Sequence, residues 1–180
     1  MTQLPTILDA IKFATLKHDG QRRKLSNEPY ITHPIRVAQL AEEYVHDEDK
    51  FLWPSYAIVA ILHDTLEDTE TLYQELVDNF GDWVAKSVFA LTNPPKEGAE
   101  KRAEYKKRIH ARLSSEFAII KTLKMCDRLD NLRSMKKGAK KWRDKYCEET
   151  RDLLRNIGDG NRVLADIILA EVEELEALKV

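Results

Sequence analysis

One histidine and three carboxylates lie within six residues, as His63, Asp64, Glu67 and Asp68. Residues four apart share one face of an α-helix, so in a continuous helix these side chains would span an arc of roughly 140°. The apolar run over residues 57–62 leads directly into them, which predicts a buried helix whose polar end opens into a site. Charges in such a place need compensation, which a metal ion or a bound substrate supplies.

Two further candidate ligands, His33 and Asp127, lie in other predicted helices. With His63 and Asp64 they make a set of two imidazoles and two carboxylates. Nitrogen and oxygen donors of this kind suit one divalent ion such as Mn²⁺, Fe²⁺ or Zn²⁺, and the lack of thiolate argues against a structural zinc site. The spacing therefore predicts a metal centre assembled from three helices.

Simpler alternatives stay open for the two outlying ligands. His33 precedes a proline and could act as a helix cap. Asp127 could pair with Arg128 or Arg133 on a solvated helix face. Either alternative is open when its residue is considered alone, and the prediction of a metal centre therefore rests on the four residues together.

The elements that must position these residues are predicted to be helices, because apolar residues recur at helical spacing and no period-two strand pattern is evident. The sequence thus predicts an all-α bundle. The predicted helices run from about residue 4 to 19, from Thr32, from about Pro54, over 98–113 and over 146–178. A polar break is predicted at 46–50 and a basic linker over 136–145. The predicted helix ends are a capping box at Thr71, a stop at Phe80-Gly81 and a cap at Ser114 or Ser115.

Composition limits the class of protein. A chain of 180 residues with 43% hydrophobic and 33% charged residues fits one soluble domain with a sizeable core. The net charge of −2 argues neither for nor against a nucleic-acid partner. Cys126 and Cys147 form no scaffold pattern, which favours reduced thiols and a cytoplasmic location. We expect no signal peptide and no membrane span.

Several motifs occur together and in a fixed order. They resemble the hydrolase domain of RelA/SpoT-type proteins within the HD-domain phosphohydrolase superfamily, and most of all its free-standing form, the small alarmone hydrolases, which include the metazoan SpoT homologue. The resemblance covers roughly residues 5–135 and more weakly the remainder. The segments that carry it are QRRK (21–24), PYITHP (29–34), HDTLEDT (63–69), FG (80–81) and DRLDNLR (127–133).

The resemblance implies a single-domain HD helical bundle that binds Mn²⁺ through the four predicted ligands. It implies removal of pyrophosphate from the 3′ position of (p)ppGpp, the alarmone of the stringent response, to leave GDP or GTP. In this family the residues matching Glu67 and Asp68 orient and deprotonate the attacking water. The alternative is that they only form an acidic helix C-terminus, where their interaction with the helix dipole would be unfavourable by a few tenths to about 1 kcal/mol.

A polyphosphorylated nucleotide needs cationic and polar contacts. By resemblance these fall to Arg23 and Lys24, to Asn131 near the ribose, and, on a thinner match, to Arg162. The basic stretch 96–112 adds candidates for pyrophosphate contacts, although a charge run is usually only a solvated helix face. Those candidates are Arg102, Lys106 and Lys107.

Other functions stay open. The chain could be an HD-type phosphatase for NADPH or for adenosine analogues of the alarmone, or a catalytically silent nucleotide-binding module, although the presence of Glu67 and Asp68 argues against silence. The basic segment 133–145 could contact nucleic acid, but we expect no specific binding. One departure from the family is Asp130, where histidine is frequent. No synthetase domain fits in the chain, and the oligomeric state is not predicted.

Overall fold

The structure, a computed structural model, describes residues 4–45 and 52–178 of the chain. Helices dominate these residues, and their β-pairing is limited to an isolated antiparallel bridge between Arg22 and Pro29. The predicted all-α class is confirmed. The chain divides into two compact units, Met1–Thr92 and Asn93–Val180. That all 180 residues form one domain stays a prediction.

The first unit consists of α1 (Ile7–Lys17), α2 (Thr32–Tyr44), α3 (Trp53–Leu62), α4 (Thr65–Asp68), α5 (Tyr73–Phe80) and α6 (Asp82–Leu91). The central helix is α3, which contacts α1, α2 and α6. Its residues from Tyr56 to Leu62 are all buried. Burying a Leu, Ile or Val side chain stabilises the fold by about 1.5–3 kcal/mol, so α3 forms a core that fixes the position of His63 and Asp64 at its end.

The central helix does not continue through the carboxylates. It ends at Leu62, and Thr65–Asp68 forms a separate turn, so the prediction of one unbroken helix is wrong. Side chains take carbonyls that a continuing helix would use: Nδ1 of His63 bonds to Ala60 O at 2.7 Å, and Thr65 Oγ1 donates to Leu62 O at 2.7 Å. His63 and Asp64 nevertheless keep right-handed helical backbone angles, so the carboxylates stay close to the histidine.

The second unit consists of α7 (Arg102–Ser114), α8 (Ala118–Ser134), α9 (Lys140–Ile157), α10 (Arg162–Ala177) and 3₁₀ turns at Met135–Lys137 and Gly158–Gly160. Its central helix is α8, which contacts α7, α9 and α10. Most of α8 is buried from Ile120 to Leu132, including the polar residues Lys121, Lys124 and Asp127. Asp127 is therefore held on a rigid, buried element.

Several helix boundaries differ from the sequence-based expectation. α5 is capped by Leu72, whose N–H donates to Glu75 at 2.8 Å, because the Thr71 hydroxyl bonds to Thr69 instead. Ser114 and Ser115 end α7 by donating to carbonyls of their own helix, and α8 begins only at Ala118.

The start of α9 also differs from the prediction, whereas the end of α5 agrees with it. α9 begins at Lys140, inside the predicted linker and before residue 146, and an ion pair of 2.8 Å between Lys140 and Asp144 supports its first turn. The predicted stop after Phe80 is correct, because Gly81 adopts a φ of 86° that other residues rarely reach. The predicted break at 46–50 lies outside the described residues. Among those described, every helix is too short or too polar to cross a bilayer.

Candidate metal centre and catalytic site

Three of the predicted ligands come together in the first unit. His33 lies in the first turn of α2, and His63 and Asp64 directly follow α3. Their donor atoms all lie within 4.8 Å of one another. Nε2 of His63 is 3.0 Å from Oδ2 of Asp64, and Nε2 of His33 is 3.5 Å from the same oxygen. Both histidines are buried, so the cluster is held away from bulk water.

The donor set and its spacing fit a divalent ion. Two ligands bound at about 2.1 Å to one ion, at angles of 90–110°, lie about 3.0–3.5 Å apart. The two nitrogen–oxygen separations fall in this range. The Nδ1 of His63 faces the carbonyl of Ala60, which can only accept, so Nδ1 carries a hydrogen, and in the neutral ring the lone pair is on Nε2, the nitrogen beside Asp64. Metal-binding histidines are typically oriented in this way.

Sequence reasoning did not assign Tyr30 a role, although it lies in the PYITHP segment. Its hydroxyl lies 2.7 Å from Oδ2 of Asp64 and 2.9 Å from Oδ2 of Asp68. Burial, and then the two neighbouring carboxylates, raise the pKa of the Tyr30 phenol well above its usual value. The phenol therefore stays protonated and acts as a donor. No local pattern could indicate this contact, because it joins residues more than 30 positions apart.

Glu67 and Asp68 lie in the turn α4, both exposed, immediately beyond the cluster. The N–H groups of both residues donate to the carbonyl of Asp64, at 3.1 and 2.8 Å. Gln21 donates from Nε2 to the carbonyl of Asp68 at 2.7 Å. The turn is thus tied both to Asp64 and to the loop before α2, and its two carboxylates are exposed.

The two predicted nucleotide-binding cations of the first unit lie in the same loop. The Arg23 guanidinium is 5.6 Å from the centre of the Tyr30 ring, a cation–π distance. Arg23 therefore lies beside the residue that contacts both Asp64 and Asp68. Lys24 is exposed. Their contacts to nucleotide stay predictions.

Asp127 belongs to the second unit and is only 8% exposed, so the solvated-face alternative is wrong. Its carboxylate lies 3.0 Å from Nζ of Lys124 and accepts a hydrogen bond from the Asn131 amide. The roles of Asp127 as fourth ligand and of Asn131 at the ribose stay predictions. Asp130, which departs from the family pattern, is buried as well.

The remaining cationic candidates lie on grooves of the second unit. A groove of about 800 Å³ between α7 and α9 is lined by Arg102, Lys106 and Lys107 among others. Arg102 and Lys106 both contact Glu149, at 2.7 and 2.6 Å, whereas Lys107 is exposed. Arg162 is exposed and lines a different groove of about 550 Å³. The pyrophosphate and nucleotide contacts of all four residues stay predictions.

The basic segment 133–145 is largely engaged within its own unit. Lys136 lies 2.6 Å from Glu171, and Lys140 pairs with Asp144. Arg143 is buried and donates to the carbonyls of Gly138 and Leu178, both at 3.3 Å. That the segment binds no specific nucleic acid stays a prediction.

Comparison with known proteins gives consistent matches. The model of a family described as HD domain matches residues 10–162. The guanosine-3′,5′-bis(diphosphate) 3′-pyrophosphohydrolase of Aquifex aeolicus is 38% identical over 146 residues, which is 80% of this chain and 20% of that protein. A protein of the same name from Danio rerio is 36% identical over 134 residues, 72% of this chain and 68% of that one. The chain spans about a fifth of the length of the bacterial relative.

Comparison with solved structures gives a match of the same kind. The structure of a metazoan orthologue of SpoT, described as hydrolysing ppGpp, superposes with a TM-score of 0.78 at 25% identity. The match covers 99% of this chain and 100% of that one. A second structure, from Listeria monocytogenes, matches with a TM-score of 0.65 at 23% identity and supports the fold alone.

Proposed function

This chain belongs to the HD domain family, and on that premise we propose that it is a metal-dependent hydrolase that removes pyrophosphate from the 3′ position of (p)ppGpp. The observation that carries the proposal is the cluster of His33, His63 and Asp64, with Glu67 and Asp68 one turn beyond it. The relatives from Aquifex aeolicus and Danio rerio are named for this activity, which supports the choice of substrate.

His33, His63 and Asp64 would hold one divalent ion, with Asp127 as the predicted fourth ligand. An ion bound there supplies an activated water molecule and neutralises negative charge on the phosphoryl oxygens. The resemblance favours Mn²⁺, and the donor set also suits Fe²⁺ or Zn²⁺. The buried position of both imidazoles keeps their nitrogens away from bulk water.

In the proposed reaction Glu67 and Asp68 orient the attacking water and accept its proton. The water oxygen forms a bond to the phosphorus next to the ribose, and the bond from that phosphorus to the 3′ oxygen breaks. The 3′ oxygen takes up a proton, so that GDP or GTP and pyrophosphate leave. Both carboxylates are exposed beside a buried cluster, which gives a substrate phosphate direct access to them.

Cationic residues would hold the nucleotide. Arg23 and Lys24 lie in the loop next to the cluster and are the first candidates for the phosphates or the base. Asn131 and Arg162, and the groove residues Arg102, Lys106 and Lys107, are the candidates from the second unit. We place the protein in the cytoplasm, where its two buried free cysteines would stay reduced.

A panel of nucleotides tests the substrate. The purified protein is incubated with Mn²⁺ and, in parallel, with ppGpp, pppGpp, an adenosine 3′-diphosphate analogue and NADPH. We expect ppGpp to give GDP and pyrophosphate in equal amounts, with turnover abolished by a chelator and restored by Mn²⁺. Release of phosphate from NADPH without turnover of ppGpp would replace the proposal by the phosphatase alternative. No turnover of any compound would favour the silent binding module.

A further inference from the structure

We propose that the hydroxyl of Tyr30 is a positioning group that holds the carboxylate of Asp68 against the metal ligand Asp64. This inference rests on the proposed hydrolase function and assigns a residue that the motifs alone do not. Its basis is a pair of short contacts, 2.7 Å to Oδ2 of Asp64 and 2.9 Å to Oδ2 of Asp68. The same Asp64 oxygen faces both histidines.

The phenol links two groups that would otherwise repel each other. Two carboxylates a few ångströms apart repel each other, and the repulsion grows as the local dielectric constant falls. A hydroxyl placed between them puts a positively polarised hydrogen between the two oxygens and can donate to either one. Without that hydrogen the repulsion between the two carboxylates favours rotamers in which the exposed Asp68 side chain lies farther from Asp64.

Tyr30 is itself held firmly. Its ring stacks on the buried His18, with centroids 4.6 Å apart and planes at 21°, and it meets His33 edge-on at 6.0 Å. Its N–H donates to the carbonyl of Gln21 at 3.0 Å. A rigid ring with a fixed backbone defines the position of its hydroxyl, which is what a positioning group requires.

The loop between α1 and α2, which contains Tyr30, also contacts the backbone of Asp68. Nδ1 of His18 lies 2.8 Å from Oε1 of Gln21, and Nε2 of Gln21 donates to the Asp68 carbonyl. The backbone of Asp68 is thus fixed through Gln21 and its carboxylate through Tyr30. Two contacts to Asp68, one from Gln21 to its backbone and one from Tyr30 to its carboxylate, indicate that the loop sets the position of Asp68.

The variant Tyr30→Phe keeps the ring stacked on His18 and removes only the hydroxyl. Groups that orient ligands or carboxylates around metal sites typically change metal affinity or activity by 10–100-fold. We expect the kcat on ppGpp to fall by about 10–100-fold and KM to stay within about twofold, because the phenol contacts Asp64 and Asp68, whose proposed roles are in the chemical step. Titration with Mn²⁺ alone should show about tenfold weaker binding.

The matched control is Tyr73→Phe, which removes a hydroxyl from the same unit at a residue whose ring packs against Phe89. It should match wild type in kcat and in Mn²⁺ affinity. Tyr30→His is a second variant that keeps an aromatic ring and a hydrogen-bond donor, and its kcat should exceed that of Tyr30→Phe. Circular dichroism and thermal unfolding confirm that each variant is folded.

A double-mutant cycle with Asp68→Asn separates positioning from a general structural effect. If Tyr30 acts through Asp68, Tyr30→Phe should lower kcat by less than about threefold in the Asp68→Asn background. Full additivity, an unchanged kcat in Tyr30→Phe, or equal activity of the Phe and His variants would overturn the inference. If wild type does not hydrolyse ppGpp, the proposed function fails, and the Mn²⁺ titration still decides on Tyr30: equal affinities in Tyr30→Phe and Tyr73→Phe would overturn its contact to Asp64.

Discussion

Two hydrogens, one on Nδ1 of His63 and one on the hydroxyl of Tyr30, orient the polar atoms of the predicted metal site. The hydrogen on Nδ1 of His63 is directed to the Ala60 carbonyl, so that in the neutral ring the nitrogen beside Asp64 is the one with the lone pair. The phenol hydrogen of Tyr30 stays in place because burial and nearby carboxylates raise its pKa. Donor atoms therefore converge on one point, and a protonated phenol lies behind one of them. This is the arrangement that a cation site next to a water-activating carboxylate requires.

The role of Glu67 is tested by removing its charge. Glu67→Gln should keep Mn²⁺ binding within about twofold of wild type but lower kcat on ppGpp by about 100-fold or more, because a proton acceptor in the reaction contributes 10²–10⁴-fold. The matched control is Glu70→Gln, an exposed glutamate just beyond the same turn, which should keep wild-type turnover. Retained turnover in Glu67→Gln would assign water activation to another residue.

The sequence predicted three side chains that the structure brings together, His33, His63 and Asp64, but not Tyr30, which lies between Asp64 and Asp68. His33, His63 and Asp64 are residue types with known metal chemistry, and their motifs place them. Tyr30 carries no chemical signal of its own in the sequence, and its importance depends on a loop folding back onto α4. The paired contacts of Gln21 and His18 have the same origin. Such contacts are set by tertiary packing, which local periodicity does not carry.

Helices and their ends place these residues. The apolar period predicted α3 correctly, but not its end at Leu62, because that end depends on the hydrogen bonds of His63 and Thr65 to backbone carbonyls. The caps predicted at Ser114 and Ser115 failed for a related reason, since both hydroxyls bond back to the preceding turn. Pattern gives the existence of a helix, whereas side-chain competition for carbonyls gives its limits.

The turn between α9 and α10 gives a sharp test of packing. A Cβ on Gly160 would lie 2.5 Å from Cβ of Lys121 and 3.1 Å from the carbonyl of Ala118, so Gly160→Ala forces backbone movement. We expect the free energy of unfolding to fall by about 1–3 kcal/mol. Gly158→Ala is the matched control, because its Cβ would meet neighbours only at 3.5 Å or more. Equal denaturation midpoints of the two variants would contradict the claim that the space at Gly160 is too small for a Cβ.

The pairing of α7 with α9 gives a pH dependence. Burial alone would raise the pKa of Glu149, but hydrogen bonds from Lys106 and Arg102 outweigh it and hold the pKa below the usual 4.5. A carboxyl with a lowered pKa stabilises the folded state above its unfolded pKa, and this stability is lost as pH falls through the folded pKa.

Glu149→Gln should therefore reduce the loss of unfolding free energy on acidification from about pH 5 to 3, measured by urea denaturation at each pH. The exposed neighbour Glu148 supplies the control Glu148→Gln, which should follow wild type. The same pH dependence in Glu149→Gln and wild type would show that the contacts to Lys106 and Arg102 do not stabilise the fold.

The whole chain comprises two compact units with different contributions. The first carries His33, His63 and Asp64 together with the exposed carboxylates Glu67 and Asp68, and the second carries the buried Asp127 on α8. Ion pairs within the second unit engage Lys136 and Lys140 of its basic segment. The family match over residues 10–162 draws on both units.

A crystal structure of the protein with Mn²⁺, with the metal located by its anomalous scattering, addresses the proposed metal centre without any assumption about the substrate. We expect one strong peak at about 2.0–2.3 Å from Nε2 of His33, Nε2 of His63 and a carboxylate oxygen of Asp64, with Asp127 as the fourth protein ligand. A protein that binds no Mn²⁺, or a peak away from these side chains, would contradict the proposed metal centre and with it the proposed hydrolysis.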